Sequence, residues 1–189
     1  MDMGNNTVLA FVGMPGSGKT EASAYLQNYN IPFVRFGALT EEYLKEKNLL
    51  LTPENERIAR EEIRKFFGMG AYAKKAIPSI EELLKKNSVI AIDGLYSWEE
   101  YVLLKEKFSN IVVIYIFAEP KKRYKRLSER KIRPVPLGES YARDVSEIEN
   151  LNKGGPIAIA DFLIDNTTDN KEKLYSNIDS ILAHLGIKK

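Results

Sequence analysis

The chain has 189 residues, 44% of them apolar, and 28 Lys and Arg stand against 26 Asp and Glu for a formal charge of +2. This length and apolar content support one ordinary core, a single domain over 1–189, and the near-balanced charge gives no global electrostatic reason to bind nucleic acid or an anionic membrane. With no cysteine and His184 as the only histidine, disulfides, thiolate zinc sites, a cysteine nucleophile and histidine metal clusters are excluded, and any metal must be held by oxygens.

Residues 1–6 lack the basic, apolar and small-residue regions of a secretory signal, and no stretch approaches a membrane span, so the expectation is a cytoplasmic protein. Thr7–Val12 is a short apolar, β-branched run that reads as a first strand. Directly after it comes Gly13-Met14-Pro15-Gly16-Ser17-Gly18-Lys19-Thr20, the pattern G-x-x-x-x-G-K-[ST]. Ala22, Tyr25, Leu26 and Tyr29 then recur at helical spacing, so the loop joins a strand to an amphipathic helix. Each part has a physical task. Gly13, Gly16 and Gly18, with Ser17 among them, let the backbone curl until its N–H groups point inward. Lys19 reaches the β- and γ-phosphates of ATP, and Thr20 ligates Mg²⁺. A glycine turn with no ligand would leave the strand–loop–helix setting without a reason.

Pro32–Phe36 reads as the second strand and Ser88–Ile92 as the third, and residues 37–87 between them exceed a plain crossover. They hold helical patterns near 40–48, 53–67 and 79–86, with Thr52-Pro53 and Ser79/Glu82 as start signals, which makes them a helical acceptor-binding insertion. In the middle helix Ala59, Ile63, Phe66 and Phe67 form an apolar face, and Arg57, Arg60 and Arg64 share a neighbouring stripe. Two readings stand: a solvated face paired with Glu56, Glu61 and Glu62, or guanidinium donors for the phosphate of a second substrate. The glycines of Phe67-Gly68-Met69-Gly70 mark a turn, and Lys74 or Lys75 after them is a candidate contact for an anionic acceptor.

The third strand ends in Asp93-Gly94. Carboxyl ends of parallel strands face the ligand crevice, so Asp93 is expected at the edge that carries the glycine loop, there to orient the ligands of Mg²⁺ or accept a proton. The alternative is an Asp that merely caps the next helix. Ser97 with Glu100 forms a capping box, and Ile111–Phe117 is the fourth strand. Pro120 then opens a helix carrying Arg123, Arg126 and Arg130, with Arg133 beyond it and Pro134-Val135-Pro136-Leu137-Gly138 after that. Residues 121–145 therefore read as a mobile cationic lid for a transferring phosphoryl group, against the alternative of a solvated basic helix. Arg143-Asp144 begins a further helical segment whose Arg returns to the phosphates or forms a local ion pair. Asp161–Ile164 is the fifth strand, with Asn166 in the loop where a base would lie. Leu174, Ile178, Ile181, Leu182 and Leu185 stripe the last helix, which Gly186 ends, leaving His184 on its polar side.

Five strands alternating with helices describe an α/β chain with a mainly parallel sheet and helices on both faces. Taken together, Gly13–Thr20, the Gly37 loop, Gly68-Met69-Gly70-Ala71, Asp93-Gly94, Arg123–Arg133 and Ala160–Ile164 resemble the nucleoside monophosphate kinase branch of P-loop phosphotransferases, close to adenylate-kinase-related proteins. The resemblance implies the three-layer P-loop NTPase fold and transfer of the γ-phosphoryl group of Mg·ATP to a nucleotide acceptor such as a nucleoside monophosphate, by a monomer or homodimer. It implies cofactor contacts at Gly13–Thr20 and Asn166, metal ligation by Thr20 and Asp93, catalysis by Lys19, Asp93, Arg126, Arg130 and Arg133, and acceptor contacts from Gly37, Arg57, Arg60, Arg64, Lys75, Gly94 and Arg143.

Two departures accompany it. No Arg follows Gly37, and Leu95-Tyr96-Ser97 rather than an Arg follows Asp93-Gly94, so Arg35, Arg57, Arg60, Arg64 or Lys75 must replace the usual monophosphate grip. Dephospho-coenzyme A kinases are also similar, through Arg143-Asp144 and Ala160–Asn166, but this chain has Ala38 where they carry an Asp and no histidine before His184. A nucleotide-binding module without transfer is the remaining alternative. A guanine-reading Asn-Lys-x-Asp is absent, since Asn152-Lys153-Gly154-Gly155 lacks the Asp.

Overall fold

The computed structural model describes residues 6–132 and 134–189. Five strands, β1 (Thr7–Val12), β2 (Phe33–Arg35), β3 (Val89–Asp93), β4 (Ile111–Phe117) and β5 (Phe162–Asp165), form one sheet in the order β2-β3-β1-β4-β5. Every pairing is parallel, and the register sets Phe11 beside Asp93 and Val12 beside Tyr115. The strand placement follows the expectation within a residue or so at each end.

Because the sheet is covered on both faces, its strands are apolar at consecutive positions while the side chains still alternate sides. Val8, Ala10 and Val12 pack with Ile90, Ile92 and the helices α3 (Pro53–Phe67), α4 (Ala71–Leu84) and α5 (Trp98–Lys107). Leu9 and Phe11 face the opposite layer, where α1 (Lys19–Tyr25) supplies Ala22 and α9 (Lys171–His184) supplies Leu174, Ile178, Ile181 and Leu182. Gly186 ends α9 as expected: its N–H reaches the carbonyl of Ala183 at 3.0 Å, and that of Ile187 reaches Leu182 at 2.8 Å.

Helix starts at Thr52 and Ser97 are built as their sequences indicate. Thr52 Oγ1 accepts from the Asn55 N–H at 3.2 Å, and Ser97 and Glu100 make the reciprocal capping box. Ser79 is a correction, because α4 begins at Ala71 and runs straight through Pro78. Proline removes one N–H and costs a helix interior about 3 kcal/mol. Ala71, Tyr72, Ala73, Ala76, Ile80 and Leu84 bury one continuous face of α4, which offsets that loss. The helix expected from residue 40 begins at Gly37 as α2 (Gly37–Glu46).

The region read as a lid consists of α6 (Pro120–Ser128) and α7 (Leu137–Glu149), followed by the short α8 (Gly154–Ala158). Arg123 on α6 is 4% exposed and pairs with Asp144 on α7, so part of this basic segment is interior. Among the described residues no helix is long and apolar enough to cross a membrane.

Candidate functional site

The carboxyl ends of β1 and β3, α2, α3 and the α6–α7 segment enclose a cleft of about 380 Å³, a size in the usual range for ligand pockets. Its floor is the glycine loop. Gly13 has φ 145°, and a Cβ there would lie 2.4 Å from the carbonyl oxygen of Ile116, so the loop can pass the end of β4 only without a side chain. Gly18, with φ 105°, is the N-cap of α1 and contributes no side-chain cap, which leaves the first N–H groups of that helix for an anion. Asn166 donates its amide to the Ser17 carbonyl at 2.8 Å and closes against Gly18, and the buried Ser17 hydroxyl has no partner among the described residues.

Lys19 lies along this loop and donates to the carbonyls of Gly13 (2.8 Å) and Met14 (3.1 Å). Burial, and next the charge of Lys153, bring its pKa down to about 7. Asp93 is 6% exposed at the end of β3. Burial raises its pKa, against the opposing pull of Lys19 and a hydrogen bond with the Thr20 side chain. A triphosphate would give Lys19 better acceptors than its own loop carbonyls, and charge-assisted bonds are the stronger kind.

Thr20 and Asp93 fit a magnesium ion by the chemistry of their donors: one hydroxyl and one hydrogen-bonded carboxylate, both oxygen, at the mouth of a phosphate cradle. No group of three metal-ligating side chains occurs among the described residues. Phosphate and water oxygens would therefore complete the coordination.

The walls are charged. Among the described residues seven cationic and five acidic side chains border the cleft. Of the residues expected from sequence, Gly16, Gly18, Lys19, Thr20, Gly37, Arg60, Asp93, Gly94, Arg126, Arg130 and Arg143 border it, as does Arg35. Arg60, 8% exposed, has a buried Nε without a partner among the described residues. Arg126 is braced on the loop after β5, donating to the carbonyls of Asn166 (2.9 Å) and Thr168 (2.8 Å), while its buried Nη1 has no partner among the described residues.

Three candidates for acceptor contact lie elsewhere. Arg64 is 3% exposed, bonded to Glu100 at 2.6 Å, with its guanidinium 4.3 Å from the Tyr72 ring centroid, so its charge is taken up inside the insertion. Arg57 pairs with Glu61 on the surface of α3 beside a separate cavity between α3 and α7, and Lys75 is exposed on α4. The helical stripe that joined Arg57, Arg60 and Arg64 in sequence spreads three ways because successive members are turned about the axis. Only Arg60 faces the cleft. Asn166 acts on the glycine loop rather than on open space for a base, and Arg133 lies outside the described residues. His184 is exposed and sets its ring edge-on to Phe162.

Sequence reasoning missed Lys153, Glu147 and Tyr96. Glu147 is 3% exposed near the end of α7, bonded to Lys153 and, at 3.4 Å, to Arg143 Nε. Burial alone would raise its carboxyl, but Lys153, Arg143 and Arg60 overcome that and bring it down to about 2. Burial pushes the Tyr96 phenol up to about 12, so it stays a neutral donor. The four-residue step from Arg143 to Glu147 was a usable helical signal. Lys153 gave none, since only the turn after α7 brings it inward.

A family model described as AAA domain matches residues 9–149. A UPF0200 protein of Thermococcus sibiricus is 34% identical over 186 residues, covering 96% of this chain and 97% of that protein. A UPF0200 protein of Pyrococcus abyssi, PYRAB09750, is 31% identical over 94% of this chain and 96% of its own length. Among solved structures, shikimate kinase from Bacteroides thetaiotaomicron is similar with a TM-score of 0.62 at 13% identity, over 95% of this chain and 98% of that one. A gluconokinase from Sinorhizobium meliloti 1021 is similar with a TM-score of 0.54 at 12% identity, over 96% and 95%. At such identities the likeness is one of fold, and that fold is the P-loop kinase fold.

Proposed function

The chain belongs to the UPF0200 family and folds as a P-loop kinase, and we propose that it transfers the γ-phosphoryl group of Mg·ATP to a small anionic acceptor, a nucleoside monophosphate being the leading candidate. The observation that carries this reading is the cleft itself, which the glycine loop with Lys19 borders together with Asp93, Arg60, Arg126, Arg130 and Arg143. A hydrolase needs room for water beside the terminal phosphate. Cations that converge from the insertion (Arg60), from α6 and the turn after it (Arg126, Arg130) and from α7 (Arg143) instead suit a second, negatively charged substrate.

In the proposed reaction an acceptor oxygen forms a bond to the γ-phosphorus as the bond to the β,γ-bridging oxygen breaks, and ADP leaves with that electron pair. Lys19 would hold the β- and γ-oxygens, and the arginines would balance charge that spreads over the transferring group. Bound magnesium would neutralise phosphate charge, with Thr20 as ligand and Asp93 orienting its water. Asp93 is also placed to take the proton of a hydroxyl acceptor, and its raised pKa suits that task. With a monophosphate acceptor no proton needs to move.

The test is a coupled ADP-release screen with AMP, CMP, UMP, GMP, their deoxy forms and dephospho-coenzyme A, with shikimate and gluconate as carboxylate acceptors. Acceptor-dependent ADP release by a phosphomonoester supports the reading. Release that ignores every acceptor identifies a hydrolase, and release only with carboxylates moves the acceptor class.

A further inference from the structure

Lys153 sits in the turn between α7 and α8, is 1% exposed, and yet borders the same cleft as Lys19. Its position is fixed from several sides. The Trp98 N–H donates to the carbonyl of Asn152 at 3.3 Å, and Gly155 packs so closely on Trp98 that a Cβ there would come within 2.9 Å of the indole. The ammonium pairs with Glu147 and lies 4.5 Å from the centroid of the Tyr96 ring. Glu147 accepts one of three ammonium donors, and among the described residues there is no second acceptor.

A buried ion pair adds little stability over an apolar pair of the same shape, so stability alone does not account for this one. Charge is more informative. Lys153 is the strongest of the cations acting on Glu147, but Arg143 is bonded to the same carboxylate and Arg60 acts on it too, so one negative charge faces three positive ones. All three of these cations, Arg60, Arg143 and Lys153, border the cleft, so the charge left over is available to an anion bound there. Lys153 and Lys19 also repel, which together with burial lowers the Lys19 pKa. An anion lodged between them relieves both.

Building on the proposed phosphoryl transfer, we propose that Lys153 is a catalytic residue whose ammonium contacts the γ-phosphoryl group from the acceptor side, opposite Lys19, with Glu147 and the Tyr96 ring holding it ready. Burial lowers the Lys153 pKa and Glu147 opposes that fall; the group acts in its charged form and transfers no proton. It stabilises negative charge on the oxygens of the transferring group while the bond to ADP breaks and the bond to the acceptor oxygen forms. Glu147 and Tyr96 act through it as positioning residues.

The proposal predicts a change in how the protein distinguishes triphosphate from diphosphate. Calorimetry with Mg·ADP and with the magnesium complex of a non-hydrolysable β,γ-imido ATP analogue reads this without any acceptor. In Lys153→Met the affinity for the analogue falls about tenfold while that for ADP is kept. The double variant Lys153→Met/Glu147→Gln removes the two buried partners together and leaves Arg143 a glutamine oxygen as acceptor, so no carboxylate is stranded. Its melting temperature returns toward wild type while its affinity for the analogue stays low. An unchanged ratio of the two affinities in Lys153→Met, or its restoration in the double variant, reduces Lys153 to a counter-ion of Glu147 and overturns this inference alone. Wild-type protein that binds neither nucleotide overturns it together with the kinase reading.

Discussion

Arg123 of α6 grips Asp144 of α7 with two hydrogen bonds, Nη1 to Oδ1 at 3.0 Å and Nη2 to Oδ2 at 2.6 Å, and the same Nη1 donates to the Pro15 carbonyl at 3.0 Å. Both side chains are buried, so one guanidinium ties α6, α7 and the glycine loop together. Removing it strands a buried carboxylate, which costs about 3–5 kcal/mol. Arg123→Met is therefore expected to lower the melting temperature by on the order of 10 °C for a chain of this size. It should also weaken ATP binding, because Pro15 loses its donor. Thermal melting followed by circular dichroism checks this, and an unshifted midpoint would mean that the pair contributes nothing.

Lys19 gives a pH prediction. Its pKa falls from 10.5 in the unfolded chain to about 7 in the folded protein, with burial as the main cause. Between those values the unfolded chain binds more protons, so this group makes stability rise with pH across roughly pH 7 to 10.5. Below pH 7 its penalty is fully present. Lys19→Ala is expected to flatten that part of the stability curve while losing phosphoryl transfer and keeping the fold. A polyphosphate favours the charged lysine, so Mg·ATP binding at pH 8 should take up most of one proton. Calorimetry in two buffers of different ionisation enthalpy measures it; equal heats would rule the linkage out.

The strands, the glycine loop and Asp93 were legible because each rests on local chemistry. Thr7–Val12 is β-branched and apolar, and Gly13–Thr20 has a spacing that few other tasks require. Asp93 follows from the rule that parallel strands end at the ligand edge. The fate of the arginines was not legible. Arg57, Arg60, Arg64 and Arg123 look alike in sequence; the pair of Arg57 with Glu61, four residues on, was a local possibility, but the open cleft, Glu100 and Asp144 that separate the other three are tertiary surroundings. Ser79 misled for a related reason. Its spacing to Glu82 is a valid local start signal, but burial of the α4 face from Ala71 onward overrides it.

Gly18 and Gly37 are both cleft glycines with different physical reasons to be there. A Cβ at Gly18 would lie 2.3 Å from Asn166 Nδ2, and its φ of 105° is strained for any L side chain. Gly18→Ala is therefore expected to cost about 1–3 kcal/mol and to break the Asn166 bond that closes the loop. A Cβ at Gly37, in the first turn of α2, meets nothing within 4 Å. Gly37→Ala should stabilise the protein by about 0.4–1 kcal/mol through the unfolded chain. If the acceptor lies against Gly37, the same variant raises the acceptor KM while raising the melting temperature. That opposition, read in one protein, separates a binding surface from a merely tolerated glycine.

Arg60 and Arg64, one helical turn apart on α3, provide the sharpest test of how the cleft is divided from its scaffold. Arg64 is enclosed by Glu100 and the rings of Tyr72 and Tyr96, and Glu100 is in turn the carboxylate that holds the N–H groups of Tyr96 and Ser97. Arg64→Ala leaves that carboxylate buried without its cation, so about 3–5 kcal/mol of stability is lost, and any effect on turnover should track the unfolded fraction. Both arginines have a buried Nε without a partner among the described residues, but Arg60 alone of the two borders the cleft, where an acceptor oxygen can meet it. Arg60→Ala is expected to raise the acceptor KM by about tenfold to a hundredfold, as loss of a charge-assisted bond does, with ATP affinity kept. Steady-state kinetics beside melting curves for the two variants decide the matter. If Arg64→Ala raised the acceptor KM at unchanged stability, the insertion would have to grip its substrate from the side that the Glu100 pair now closes.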